Sequence, residues 1–164
     1  MNTTVKTTTT TAIITPAELL THWQGHRDLT RRVIEVFPEE QLYTYTLGGM
    51  RPFGDMVQEL LAIAVPGTKQ IAGEPAEELN EHLEQAKTKA GMLALWDEAT
   101  AELNHYWAQI PVERFGERIL AFGRYEGTVL STVLYFIDNE IHHRGQGYVY
   151  LRTLGIEPPQ FWDR

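Results

Sequence analysis

Residues Thr128–Pro159 read TVLSTVLYFIDNEIHHRGQGYVYLRTLGIEPP, and this stretch decides the fold. Val129, Leu130, Val133, Leu134, Phe136, Ile137 and Ile141 recur at three- and four-residue steps, the pattern of a helix buried over most of its circumference. Gly155 can adopt the left-handed conformation that closes a helix, and Pro158 and Pro159 cannot continue one, so the helix ends near Leu154. Asn139 and His143 lie four residues apart and share one side of it, with Gln146 and Tyr150. His142 sits about 100° around the axis from His143, so the two histidines do not easily share an ion. Gly145 and Gly147 each cost about 1 kcal/mol relative to alanine inside a helix, which implies a backbone or bulky group packed closely against them. Arg144 and Gln146 read as hydrogen-bonding bridges rather than chemistry.

Three further helices precede this one. Thr15, Pro16 and Glu18 form a capping box that opens the first, and Leu19, Leu20, Trp23, Thr30, Val33, Ile34 and Phe37 carry its stripe to Pro38. His22 and His26 are four apart on it; two histidines leave a zinc site unfinished, so a solvated face is expected there. The segment 39–51 reads as an extended connection turning at Gly48 and Gly49. The second helix starts near Pro52 with Phe53, Met56, Leu60, Ile63 and Ala64 inward, and Pro66 and Gly67 are expected to end or kink it. Glu59 falls on or beside that buried face, where a carboxylate needs a partner. After a charged, solvated linker over 73–88, a third helix spans about 88–109 with Leu93, Trp96, Ala99, Leu103, Tyr106 and Ile110 on one side. Residues 112–127 form a long connection with room for a short strand pair.

The expected fold class is therefore all-α, a four-helix bundle with one long crossover connection. Residues 1–14 are a flexible Thr-rich tail and 15–164 a single domain. At 164 residues and 43% hydrophobic composition the chain buries a core without staples, and with 0 cysteines it has neither disulfides nor thiolate chemistry. A net charge of -8 argues against nucleic acid as a partner. Neither a signal segment nor a membrane span is evident, so a cytoplasmic location is expected.

The terminal motif EIHHRGQGYVYLRTLGIEPP resembles that of the DinB superfamily, the damage-inducible, YfiT-like group of bacterial four-helix proteins, and MRPFGDMVQEL resembles the family's second-helix segment. The likeness extends in outline over 15–164. It implies a divalent ion held by one histidine of the second helix and an HxxxH pair of the last, and relatives that include thiol-dependent transferases and a maleylpyruvate isomerase. Carried over residue by residue, His143 matches; Asn139 stands where the earlier histidine is common, and Glu59 at the second-helix position. The implied metal ligands are thus Glu59, Asn139 and His143, a harder set than three imidazoles, suited to zinc, nickel or manganese. Glu140 is a substitute carboxylate one position over.

Two functions follow as expectations. One is a metal-dependent thiol transferase or hydrolase acting on a small-molecule substrate, with a low-molecular-weight thiol as a possible cofactor. The other is a non-catalytic binding or structural bundle in which Glu59, Asn139 and His143 form a hydrogen-bonded knot without an ion. A homodimer is expected in either case, by resemblance and because many aromatic residues need covering. Phe161 and Trp162 are assigned to a lid or dimer contact.

Overall fold

The computed structural model describes residues 13–164; the segment 1–12, most of the expected tail, lies outside the described residues. Four helices, α1 (Pro16–Val36), α2 (Phe53–Ala72), α3 (Lys89–Trp107) and α4 (Val129–Thr153), are joined by loops, 3-10 turns and one hairpin. The hairpin pairs β1 (Arg118–Ala121) antiparallel with β2 (Tyr125–Thr128) and leads directly into α4. This is the all-α four-helix bundle that the periodicity predicts.

The local signals act as physics requires at three of the helix ends. The Thr15 hydroxyl accepts from the Glu18 N–H at 3.2 Å while the Thr15 N–H donates to Glu18 Oε2 at 2.8 Å, satisfying two donors at the start of α1. Thr88 caps α3 by accepting from the Gly91 N–H at 3.1 Å. Gly91 is required there, because a Cβ would lie 1.9 Å from the Gln85 carbonyl oxygen. Leu154 caps α4 and Gly155 follows with φ +75°, where the sequence places the stop.

Elsewhere tertiary packing corrects the reading. α2 does not end at Pro66 but runs to Ala72 and stops at Gly73, φ +115°. Proline withholds the N–H that would bond the Ala62 carbonyl, a local cost of about 3 kcal/mol that a helix buried on most sides absorbs. Gly67 contributes by letting the Phe136 ring of α4 lie where its Cβ would be, 2.4 Å away. On α3 the buried stripe is Met92, Trp96, Ala99, Leu103 and Trp107, while Leu93, Tyr106 and Ile110 flank it half-buried. The segment 39–51 contains a 3-10 turn, Glu39–Gln41, in place of a fully extended run. α4 is not buried all round: Leu130, Leu134 and Ile141 are 37%, 43% and 38% exposed, and with Val149 they form an outer apolar face.

α1 packs against α3 and α4, and α2 packs against the same two. The order around the bundle is therefore α1, α3, α2, α4, and two connections cross it, 37–52 between α1 and α2 and 108–128 between α3 and α4, where one was expected. The core fills the centre with aromatic rings, including Phe37 stacked on Phe53 at 4.8 Å. Gly147 of α4 admits the Phe53 ring, which would come within 2.5 Å of a Cβ; Gly145, expected to be just as crowded, has nothing within 4 Å.

Candidate functional site

The three residues singled out in the sequence come together between α2 and α4. Glu59 Oε1 accepts from Asn139 Nδ2 at 3.0 Å and lies 3.1 Å from His143 Nε2. One helical turn separates Asn139 from His143, so both reach the same carboxylate oxygen. His143 Nδ1 in turn faces Gln146 Oε1 at 3.1 Å, so both ring nitrogens meet oxygen atoms. The other carboxylate oxygen, Oε2, accepts from the guanidinium of Arg51, which also reaches Glu81 Oε2 at 3.3 Å. Tyr150 fixes the base of that arm by donating its hydroxyl to the Arg51 carbonyl at 2.9 Å. The hydrogen bond from His143, with those from Arg51 and Asn139, outweighs partial burial and holds the Glu59 carboxyl down at about 2.

Arg51 is the participant that the sequence reading missed. It lies in a loop eight residues before Glu59, and no helical period links the two. Its presence bears on a metal. A carboxylate, an imidazole and an amide gathered within 3.1 Å are ligands of the right kind. In this arrangement, however, Asn139 offers its nitrogen, both Glu59 oxygens and His143 Nε2 are engaged, and the carboxylate charge is met by a guanidinium. For all three to ligate one ion, the Asn139 amide must turn its oxygen inward and the hydrogen bonds on Oε1 must give way, with the Arg51 charge on Oε2 opposing the ion. Among the described residues no group of three or more His, Cys, Asp or Glu side chains forms a ready ligand cluster.

The other sequence candidates fall elsewhere. Glu140 faces α1, not Glu59: it accepts from Thr30 Oγ1 at 2.7 Å and Trp23 Nε1 at 3.2 Å, with Arg27 and Arg144 each 3.9 Å away. His142 is exposed beside Gln146. His26 is buried, against the expectation of a solvated face, because Arg144 Nη2 lies 2.9 Å from its Nδ1, and His22 and Arg164 flank its Nε2. Burial and the positive charges of Arg144 and Arg164, with His22, push its pKa down to about 4. Arg144 is thus the hydrogen-bonding bridge expected of it, from α4 to α1.

Above Glu59 opens a cavity of about 300 Å³. Its walls include Phe122, Tyr125 and Glu126 from the hairpin, Tyr135 and Phe136 from α4, and Glu59 as part of its floor. Phe122 adopts φ +53°, a conformation costly for a bulky residue. Gln70 of α2 holds it there: its Oε1 accepts from the Phe122 N–H at 2.9 Å and its Nε2 donates to the Leu120 carbonyl at 3.0 Å. The hairpin is thereby clamped over the bundle with an aromatic ring in the cavity wall.

The comparisons agree with this architecture. The sequence matches the DinB family over residues 1–163. The chain belongs to the DinB family. Two solved DinB-like proteins share the DinB fold with it. One, from Bacillus cereus ATCC 10987, superposes with a TM-score of 0.70 at 17% identity, covering 88% of this chain and 95% of its own. The other, from Bacillus subtilis, gives 0.66 at 20% identity, covering 87% and 96%. No curated protein matches the sequence. Among the described residues no helix is long and apolar enough to cross a membrane.

Proposed function

We propose that this DinB-family chain is a small-molecule-binding bundle, cytoplasmic and dimeric through the outer face of α4, whose ligand occupies the cavity above Glu59. The observation that carries the reading is the pairing of a cavity with a closed floor. A concave space of about 300 Å³ with four aromatic rings in its wall stands over a carboxylate that three neighbouring side chains hold ionised. The knot of Glu59, Asn139, His143 and Arg51 keeps α2 and α4 in register beneath it. A thermal-shift screen of neutral, cationic and anionic small molecules tests this with the wild type and Ser131→Trp, which places an indole at the cavity wall. Compounds that raise the wild-type Tm and leave the variant unmoved are expected; equal shifts in both, or none in the wild type, overturn it.

The gathering of the Glu59, Asn139 and His143 heads at 3.0–3.1 Å favours a second reading. There these residues hold zinc, nickel or manganese, and the protein is a thiol transferase or hydrolase, with a low-molecular-weight thiol where transfer requires one. The ion would supply Lewis acidity at the cavity floor. Elemental analysis separates the readings. The second requires metal in the wild type and in His142→Ala but none in His143→Ala, and more metal in Arg51→Gln, since that variant removes the competing cation. Metal-free wild type and Arg51→Gln protein after growth with added metal would exclude it.

A further inference from the structure

The cavity has a chemical bias that the floor alone does not explain. Of the described side chains that line it, none is Lys, Arg or His, and each charged one is a carboxylate: Glu59, Glu81 and Glu126. Their partners stand outside the lining. Arg51 serves Glu59 and Glu81, and Arg118 pairs with Glu126 at 2.7 Å across a contact in which both side chains are 67% exposed. Exposed pairs of that kind are weak and screened, so Glu126 is free to take a better partner. The uncharged lining includes four aromatic rings beside aliphatic and hydroxyl side chains. Tyr125 and Tyr135 keep more than half their surface open, at 59% and 57%, while Phe122 and Phe136 pack behind them with ring centroids 6.1 Å apart. Ring faces attract cations through their quadrupole, and they do so more strongly where carboxylates stand nearby and water is partly excluded.

From this combination we infer that the cavity binds an organic cation, an amine or quaternary ammonium compound carrying a small apolar body. The cationic head sits against Tyr125, Tyr135 and the Glu126 carboxylate, and the body faces Phe122, Phe136 and Ile63. The volume lies at the lower end of the range of about 300–1,000 Å³ found for small-molecule sites, which suits a compact ligand. A hydrated divalent ion does not use four aromatic rings. The inference rests on the small-molecule reading of the cavity and names its ligand class.

The test compares choline with 3,3-dimethylbutan-1-ol, which has the same shape without the charge, by isothermal titration calorimetry at fixed ionic strength. Choline is expected to bind ~10-fold more tightly than the alcohol. Tyr135→Leu and Glu126→Gln, both at exposed positions that leave the core untouched, should remove most of that preference. Equal or tighter binding of the alcohol overturns the cation inference and leaves the cavity reading standing, provided Ser131→Trp abolishes it. Choline binding that both variants leave unchanged places the cation elsewhere and also overturns the inference, as does failure of both probes. In that last case the neutral compounds of the thermal-shift screen judge the cavity reading separately.

Discussion

At the scale of single residues, two titrations give the structure a pH signature. Glu59 has a folded pKa of about 2 against an ordinary value of 4.5, because His143, Arg51 and Asn139 favour its charged form. Its contribution is complete above pH 4.5 and lost as pH falls toward 2. Glu59→Gln should therefore lower stability at pH 7 by about 1.5–3 kcal/mol, the scale of hydrogen bonds to charged groups, and its deficit should shrink between pH 4.5 and 2 in urea titrations. His26 runs differently. Its folded pKa of about 4 lies below the ordinary 6.5, so on acidification the unfolded chain takes up a proton before the folded one does. Stability falls from pH 6.5 to 4, and His26→Gln should flatten that slope by up to one proton per molecule, read from urea midpoints at half-unit pH steps. Of the site residues, Glu59, Asn139 and His143 were legible from helical spacing and resemblance. Arg51 was not, since a loop residue eight positions away acquires its partner only when the chain folds. The burial of His26 was equally hidden, because it depends on Arg144, 118 residues distant.

At the scale of elements, α4 carries two glycines with opposite consequences. Adding a methyl group at Gly145 meets open space, so Gly145→Ala should stabilise the protein by about 0.5–1 kcal/mol through helix propensity. At Gly147 the methyl would lie 2.5 Å from the Phe53 ring, and Gly147→Ala should cost about 1–3 kcal/mol net. Thermal unfolding of the pair checks the sign of each; a stabilised Gly147→Ala would mean that Phe53 can shift at little cost. Period and punctuation told which segments are helices, how the first opens at Thr15 and how the last closes at Gly155, because those signals are local. They did not tell that α2 passes Pro66 or that the face of α4 bearing Leu130, Leu134 and Ile141 is outermost. Both depend on what packs alongside. An apolar stripe marks a face that avoids water without naming its partner, and α4 has more apolar surface than α1 and α2 cover.

At the scale of the whole molecule, Glu140 joins three helices through charge. It lies fully buried on α4, 3.9 Å from Arg27 of α1 and from Arg144, while Arg27 donates to Thr100 Oγ1 at 3.0 Å and covers the Trp96 ring on α3 at 4.1 Å. Burial pushes the Glu140 carboxyl up and the Arg27 guanidinium down, and their mutual attraction opposes both shifts. Removing one partner leaves uncompensated charge in the interior, so Glu140→Leu should destabilise by about 3–5 kcal/mol in equilibrium unfolding. A loss under 1 kcal/mol would mean that the two guanidiniums find water or other acceptors.

The order of helices around the bundle also has a kinetic consequence. Because α1 and α2, and likewise α3 and α4, stand on diagonals, the one pair of consecutive helices that can zip together as neighbours is α2 with α3. The ends of the chain must then close around this hairpin through separations that carry a loop-closure entropy, which slows folding relative to an up-and-down bundle of equal length. The cavity, walled by α2, α4 and the crossover hairpin, is thus completed only when the long-range closure of α4 against α2 is made.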